Sequence, residues 1–216
     1  MTSTTQTQSY YLEPEKESQW KIIAKKSSKL VLSVLQVVVV VAIIGMVSYF
    51  FITPFNQVRG RSMQPNFCDR DLYITYKLSS YFSAQPYKLG DVLSFRLNAN
   101  ENLIKRIVGL PGDTLELIDG KIYRNGVMLN EPYLPLGRIT EPENYDYLGS
   151  APYIVPEGKL FVVGDNRQNS LDSREFGPID PKVNTINGNV ILVVWPPERV
   201  RIFNNNQVFE ENICEV

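Results

Sequence analysis

From Leu30 to Ile52 the chain reads LVLSVLQVVVVVAIIGMVSYFFI, twenty-three residues without a charge. About 20 such residues carry a helix across a bilayer core. Lipid offers no partners for backbone N–H and C=O groups, so a helix is the form open to this stretch. Tyr49, Phe50 and Phe51 suit the aromatic belt at its far end. Lys21, Lys25, Lys26 and Lys29 precede the run, whereas Arg59 and Arg61 follow it. Four cations against two predict a cytoplasmic N-terminus and an extracytoplasmic remainder. A cleaved secretory signal would have an apolar region of about 7–15 residues and a small-residue cleavage site. Phe50-Phe51-Ile52-Thr53-Pro54-Phe55 offers no such site, so the expectation is an uncleaved single-pass anchor.

The chain is then expected to divide into a cytoplasmic tail (1–29), a transmembrane anchor (30–52), an extracytoplasmic domain (53–203) and a C-terminal tail (204–216). Residues 1–19 are rich in Ser, Thr, Gln and Glu and are expected to be disordered. The domain reads as mainly β. Leu72–Leu78, Asp91–Leu97, Leu103–Val108, Lys159–Val163 and Val190–Trp195 carry strand-like patterns. Between Leu115 and Leu129, Asp119-Gly120 and Asn125-Gly126 predict two tight hairpin turns joining three short strands. Pro132–Pro156, rich in Pro, Tyr and Glu, reads as a long excursion from the core. No amphipathic helix of three turns is expected after residue 52, and no fixed-period repeat is present.

The 216 residues include no histidine and carry a net charge of -1. No long basic block points to nucleic acid. Cys68 and Cys214 alone cannot complete a metal site, so neither metal nor cofactor is expected. A bridge between the two is open outside the cytoplasm. The expectation is nevertheless two unpaired, small, apolar side chains.

Without histidine, a nucleophilic serine needs another base. Ser62, in Gly60-Arg61-Ser62-Met63-Gln64-Pro65, stands ten residues past the apolar run, within reach of a membrane-held substrate. By itself such a serine is a turn residue before Pro65. Lys105 lies among Leu103, Ile104, Ile107 and Val108. A lysine in an apolar strand usually snorkels to water. A base, however, must be neutral, and burial disfavours the ammonium form. Arg106 is expected on the opposite face of the strand. A third cluster, Gly164 to Arg174, is either a hydrophilic loop or a supply of hydroxyls and paired charges. A serine hydroxyl can orient a neutral lysine without stabilising its charged form as a carboxylate would.

Four segments in order resemble the boxes of type I signal peptidases, the Ser-Lys leader peptidases of bacteria. They are Ser62-Met63-Gln64-Pro65, Gly90-Asp91-Val92-Leu93-Ser94-Phe95, Lys105 to Asp113, and Gly164 to Arg174. The resemblance runs from the span to about Trp195. It implies a β-rich, signal-peptidase-like catalytic domain, with Ser62 as nucleophile, Lys105 as general base and Ser170 as the serine that orients the lysine. Asp172 and Arg174 match a site-shaping ion pair, and Asp165 is expected to meet Arg106. Val58, Met63, Leu103 and Ile104 fall where the family lines shallow pockets for small side chains, the basis of an Ala-x-Ala preference. Some members carry a serine two residues before the nucleophile to help hold the oxyanion. Here that position is Gly60.

The activity so implied is cleavage of signal peptides from exported preproteins through an acyl-enzyme. The partners implied are preprotein signal peptides, the lipid bilayer and the export translocon, and no nucleic acid. The location is the inner membrane, or a thylakoid membrane where the cell has one. Two alternatives are a self-cleaving Ser-Lys protease of the SOS-repressor type and a non-catalytic membrane-tethered β-domain that binds exported polypeptides. The span and the lack of a DNA-binding segment disfavour the first.

Overall fold

A computed structural model describes residues 19–77, 86–98, 101–140, 147–149, 151–182, 185–203 and 214. The expected disorder of residues 1–19 falls, apart from Gln19, outside them, as does the C-terminal tail apart from Cys214. The chain divides into two units, Met1–Val47 and Ser48–Val216.

The first unit is dominated by helix α1 (Gln19–Phe51), which runs on into the second. Within α1, Lys26–Ser48 is long and apolar enough to cross a membrane, with mean hydropathy 2.9. Val31, Leu35, Val38 and Ile43 are each more than half exposed among the described residues. A helix apolar all round without protein cover suits a bilayer. The helix starts well before Leu30, since Lys and Ala sustain it, and it ends one residue before the expected Ile52. Pro54 biases Thr53 toward an extended backbone, and Ile52 opens β1 (Ile52–Gln57).

The second unit is mainly β. Its strands continue as β2 (Leu72–Tyr76), β3 (Val92–Asn98), β4 (Glu101–Gly109), β5 (Thr114–Ile118), β6 (Lys121–Arg124), β7 (Val127–Met128), β8 (Tyr153–Ile154), β9 (Phe161–Val163), β10 (Thr185–Trp195) and β11 (Arg201–Ile202). The larger antiparallel sheet runs β1-β2-β10-β3-β4-β9, with β11 also paired to β10. The smaller runs β7-β6-β5-β8. All the expected strands form. Asp119-Gly120 and Asn125-Gly126 sit at positive φ (49°, 71°; 53°, 77°), as mirror-type hairpin turns require. The excursion after Pro132 is not wholly loop, because Tyr153–Ile154 pairs with β5. Strand β1 also went unforeseen, its Thr-Pro start masking the alternation. The helices after β1 are α2 (Ser173–Phe176) and a 3-10 turn at Pro197–Arg199, among the described residues.

Alternation along the strands separates two apolar clusters. Val92, Ile104, Val190 and Val193 pack with Tyr73, Val58, Met63 and Phe67. Leu93, Phe95, Ile107 and Val162 pack with Leu160 and Ile179. A third cluster sets Leu115, Ile122, Leu148 and Val155 against Val108, Phe161 and Val163, tying the smaller sheet to the larger. Cys68 and Cys214 form a disulfide, contrary to the expectation of unpaired thiols, with Cα atoms 5.3 Å apart across 146 positions of sequence. Proximity over such a separation is a product of the fold and leaves no trace in spacing.

Candidate active site

Ser62 lies in the turn that follows β1. Gly60 opens this turn with φ 85°, which a side chain would resist, and its N–H donates to Asp69 Oδ1 at 2.8 Å. Gln64 N–H donates to Arg61 O and Phe67 N–H to Met63 O, giving a short helical wind around the serine. The Met63 side chain, 1% exposed, anchors the wind in the core. Lys105 comes from the middle of β4, opposite Leu93 of β3. Its amine Nζ stands 2.7 Å from Ser62 Oγ, and the residue is 1% exposed.

The segment after β9 supplies the rest. Ser170 Oγ is buried and has no hydrogen-bond partner among the described residues. Gly164 separates it from the nucleophile turn. A Cβ on Gly164 would lie 2.2 Å from Ser170 Oγ and 2.4 Å from Ser62 O. Asp172 caps α2 through Arg174 N–H and accepts Gly164 N–H at 2.9 Å. Its two oxygens also meet Arg174 Nε and Nη2 at 2.8 and 2.9 Å, both residues fully buried.

Asp165 and Arg106 form a second buried fork, Nε to Oδ1 at 2.8 Å and Nη2 to Oδ2 at 2.7 Å. Arg106 Nη1 donates to Gly90 O, and its guanidinium lies 3.9 Å from the Tyr133 ring centre. Burial pulls the Arg106 guanidinium down, but the Asp165 charge and hydrogen bonds outweigh it and hold the group above its ordinary value. The cation therefore persists in the interior.

Of the four expected pocket residues, Val58, Met63 and Ile104 share one cluster. Leu103 packs against the other. Several further residues shape the site: Asn166 and Arg167 lie in the Gly164–Arg174 segment without an assigned role, and Asn66, Glu131 and Tyr133 are not singled out by the sequence. Asn166 donates its N–H to Ser62 O at 3.0 Å and its side-chain Nδ2 to Arg61 O at 3.1 Å. Buried Arg167 pairs with Glu131 and donates to Thr140 Oγ1 and Gly164 O. Buried Asn66 bridges Tyr133 O and Asp165 Oδ2. Tyr133 donates its hydroxyl to Glu131 at 2.7 Å. Burial, then the Glu131 charge, push the Tyr133 phenol up, so it remains a neutral donor. Pro132 and Tyr133 fall in the expected Pro132–Pro156 excursion and Glu131 just before it, and their partners lie in other segments.

Comparison with known proteins gives the family. The family model described as signal peptidase, peptidase S26, matches residues 30–195. A signal peptidase I of Bacillus licheniformis is 36% identical over 169 residues, covering 76% of this chain and 88% of that protein. A signal peptidase IB of Staphylococcus aureus is 32% identical over 173 residues, covering 76% and 88%. A crystal structure of a signal peptidase I from Enterococcus faecalis is 34% identical, with a TM-score of 0.39, and covers 48% of this chain and 95% of its own. Fold and relatives together define a β-rich serine endopeptidase behind an apolar N-terminal helix. The chain belongs to the signal peptidase family, peptidase S26.

Proposed function

We propose that this protein removes N-terminal signal peptides from exported preproteins, with Ser62 as nucleophile and Lys105 as general base. The observation that carries the reading is the 2.7 Å approach of a fully buried lysine amine to Ser62 Oγ. Burial disfavours an ammonium, and a neutral amine can accept the hydroxyl proton.

The proton moves from Ser62 Oγ to Lys105 Nζ as Oγ attacks the scissile carbonyl. The tetrahedral intermediate collapses when the Lys105 ammonium returns that proton to the leaving amine, and an ester on Ser62 remains. Lys105 then takes a proton from water, which attacks the ester, and returns it to Ser62 Oγ as that oxygen leaves; the acid product loses its own proton to solvent, and the neutral amine and the serine hydroxyl are restored. The Ser62 N–H donates to the oxyanion. Ser170 can turn its buried, uncommitted hydroxyl to the amine, while Asp172–Arg174 and Asp165–Arg106 hold the loops. Val58, Met63, Ile104 and Leu103 limit the residues before the bond to small side chains, an Ala-x-Ala preference. The N-terminus is cytoplasmic and the catalytic unit extracytoplasmic, on an inner or thylakoid membrane. Substrates reach the enzyme from the export translocon.

Purified protein is incubated with a preprotein in detergent or lipid. Mature product should appear, and Ser62→Ala and Lys105→Ala should each lower the rate by about 10³-fold or more. Cleavage retained by either variant overturns the assignment. Preprotein binding without turnover would favour a non-catalytic domain instead.

A further inference from the structure

We infer that the side chain of Asn166 is a positioning residue, which aims the main-chain N–H of Ser62 at the oxyanion. The inference rests on the proposed role of Ser62 as nucleophile. Gly60 has no side chain to offer an oxyanion, and its N–H is taken by Asp69. The Ser62 N–H has no main-chain acceptor among the described residues. A single small donor must then point correctly.

A trans peptide is planar, with its C=O and N–H directed oppositely. Fixing the Arg61 carbonyl therefore fixes the direction of the Ser62 N–H. Two donors hold that carbonyl, Gln64 N–H and Asn166 Nδ2, each at 3.1 Å. The next plane, from Ser62 to Met63, is held by Asn166 N–H on Ser62 O at 3.0 Å. One residue thus grips both peptide planes that meet at the Ser62 Cα, and these planes set the serine's φ and ψ.

Gly164 permits the grip. A Cβ there would stand 2.4 Å from Ser62 O, the atom that Asn166 N–H must reach. Asp165, between the two, is fixed by Arg106 and Asn66 and is fully buried. Asn166 is therefore presented to the turn from a rigid base. Its side chain donates to a carbonyl, a task an aspartate of the same shape cannot perform.

The expected signature follows from where the oxyanion exists. It forms in the tetrahedral state and is absent from bound substrate, so losing its alignment lowers kcat and spares ground-state binding. The Gln64 bond survives in any Asn166 variant, so the loss should be about 10–100-fold, the scale of a small misplacement.

The test compares wild type with Asn166→Ala and Asn166→Asp in the full chain. Three quantities are measured: kcat on a signal-peptide substrate, inhibition by a matching peptide aldehyde, and affinity for the same peptide with the scissile amide reduced to CH2–NH. The aldehyde forms a hemiacetal whose oxygen occupies the oxyanion position, and the reduced peptide has no carbonyl at the scissile position. The expected result is a fall of about 10–100-fold in kcat and a matching loss of aldehyde affinity. Reduced-peptide affinity should stay within about threefold, with the alkaline-rising limb of the pH–rate profile unmoved. Unchanged kcat and aldehyde affinity, with Ser62→Ala inactive, overturn the inference alone. Parallel loss of reduced-peptide and aldehyde affinity also overturns it, since that marks a general disturbance. Cleavage retained by Ser62→Ala overturns the nucleophile assignment and this inference with it.

Discussion

The amine of Lys105 lies 2.7 Å from the hydroxyl oxygen of Ser62 while the lysine as a whole is 1% exposed. The two residues are 43 positions apart, one in a turn and one inside a strand. As a base, the amine must be neutral, so activity should rise with pH as it loses its proton. A pH–rate profile should therefore show a limb that rises with pH. Lys105→Arg keeps a cation of similar reach that cannot be deprotonated. It should lose about 10³-fold or more in kcat across the whole pH range. An active arginine variant would contradict the role of Lys105.

Much of the fold was legible because each signal was local. Alternation marked the sheet strands, and Asp-Gly and Asn-Gly marked the two turns whose positive φ the structure displays. Ser62, Lys105 and the Asp165–Arg106 and Asp172–Arg174 pairs could be named from their boxes. What could not be read was partnership across long separations. Cys68 meets Cys214, and Arg167 meets Glu131 thirty-six positions away. Asn166 reaches back 105 positions to Arg61 O. These depend on the order β1-β2-β10-β3-β4-β9 in the sheet and on the loops it brings together, which no short motif encodes. The four pocket residues were also named as one group, yet Leu103 faces a different cluster, since strand neighbours point to opposite faces.

Gly164 lies against both Ser62 O of the nucleophile turn and the side chain of Ser170. Gly164→Ala would put a methyl 2.2 Å from Ser170 Oγ, 2.6 Å from Ser170 Cβ and 2.4 Å from Ser62 O. The hydroxyl could rotate away, but the backbone oxygen could not. The turn must retreat from the loop, so kcat should fall by about 100-fold. Wild-type turnover by Gly164→Ala would show that the two loops are not held as described.

Arg106 and Asp165 form a two-bond fork that is almost wholly excluded from water. Removing one charge leaves the other stranded, a loss of about 3–5 kcal/mol for a buried pair. Arg106→Met and Asp165→Asn should each show a large drop in unfolding free energy. The double variant strands no charge, so its loss should fall short of the sum by about 2 kcal/mol or more. Denaturant titration of the four proteins measures this coupling. Additive losses would mean that the fork contributes little beyond packing against Tyr133.

Asp113 ties the turn after β4 to the hairpin of the smaller sheet. Its carboxylate accepts Leu110 N–H at 2.7 Å, Arg124 Nε at 2.5 Å and Asn125 Nδ2 at 2.9 Å. Burial alone pushes the carboxyl up, but these donors together outweigh it, and the group sits below the ordinary carboxylate range. A carboxyl depressed in the folded state stabilises it fully above the unfolded value of about 4. That contribution fades as pH falls through the lower folded value. Asp113→Asn loses the charge-assisted bonds and turns an amide N–H toward donors. It should cost about 1–3 kcal/mol at pH 7. The gap to wild type should be flat above about pH 5 and close progressively below about pH 4. Thermal unfolding of both proteins between pH 3 and pH 8, on a scale of roughly 2–4 °C per kcal/mol, reads the difference directly. A gap that widens on acidification would require a raised carboxyl and contradict the three-donor cradle.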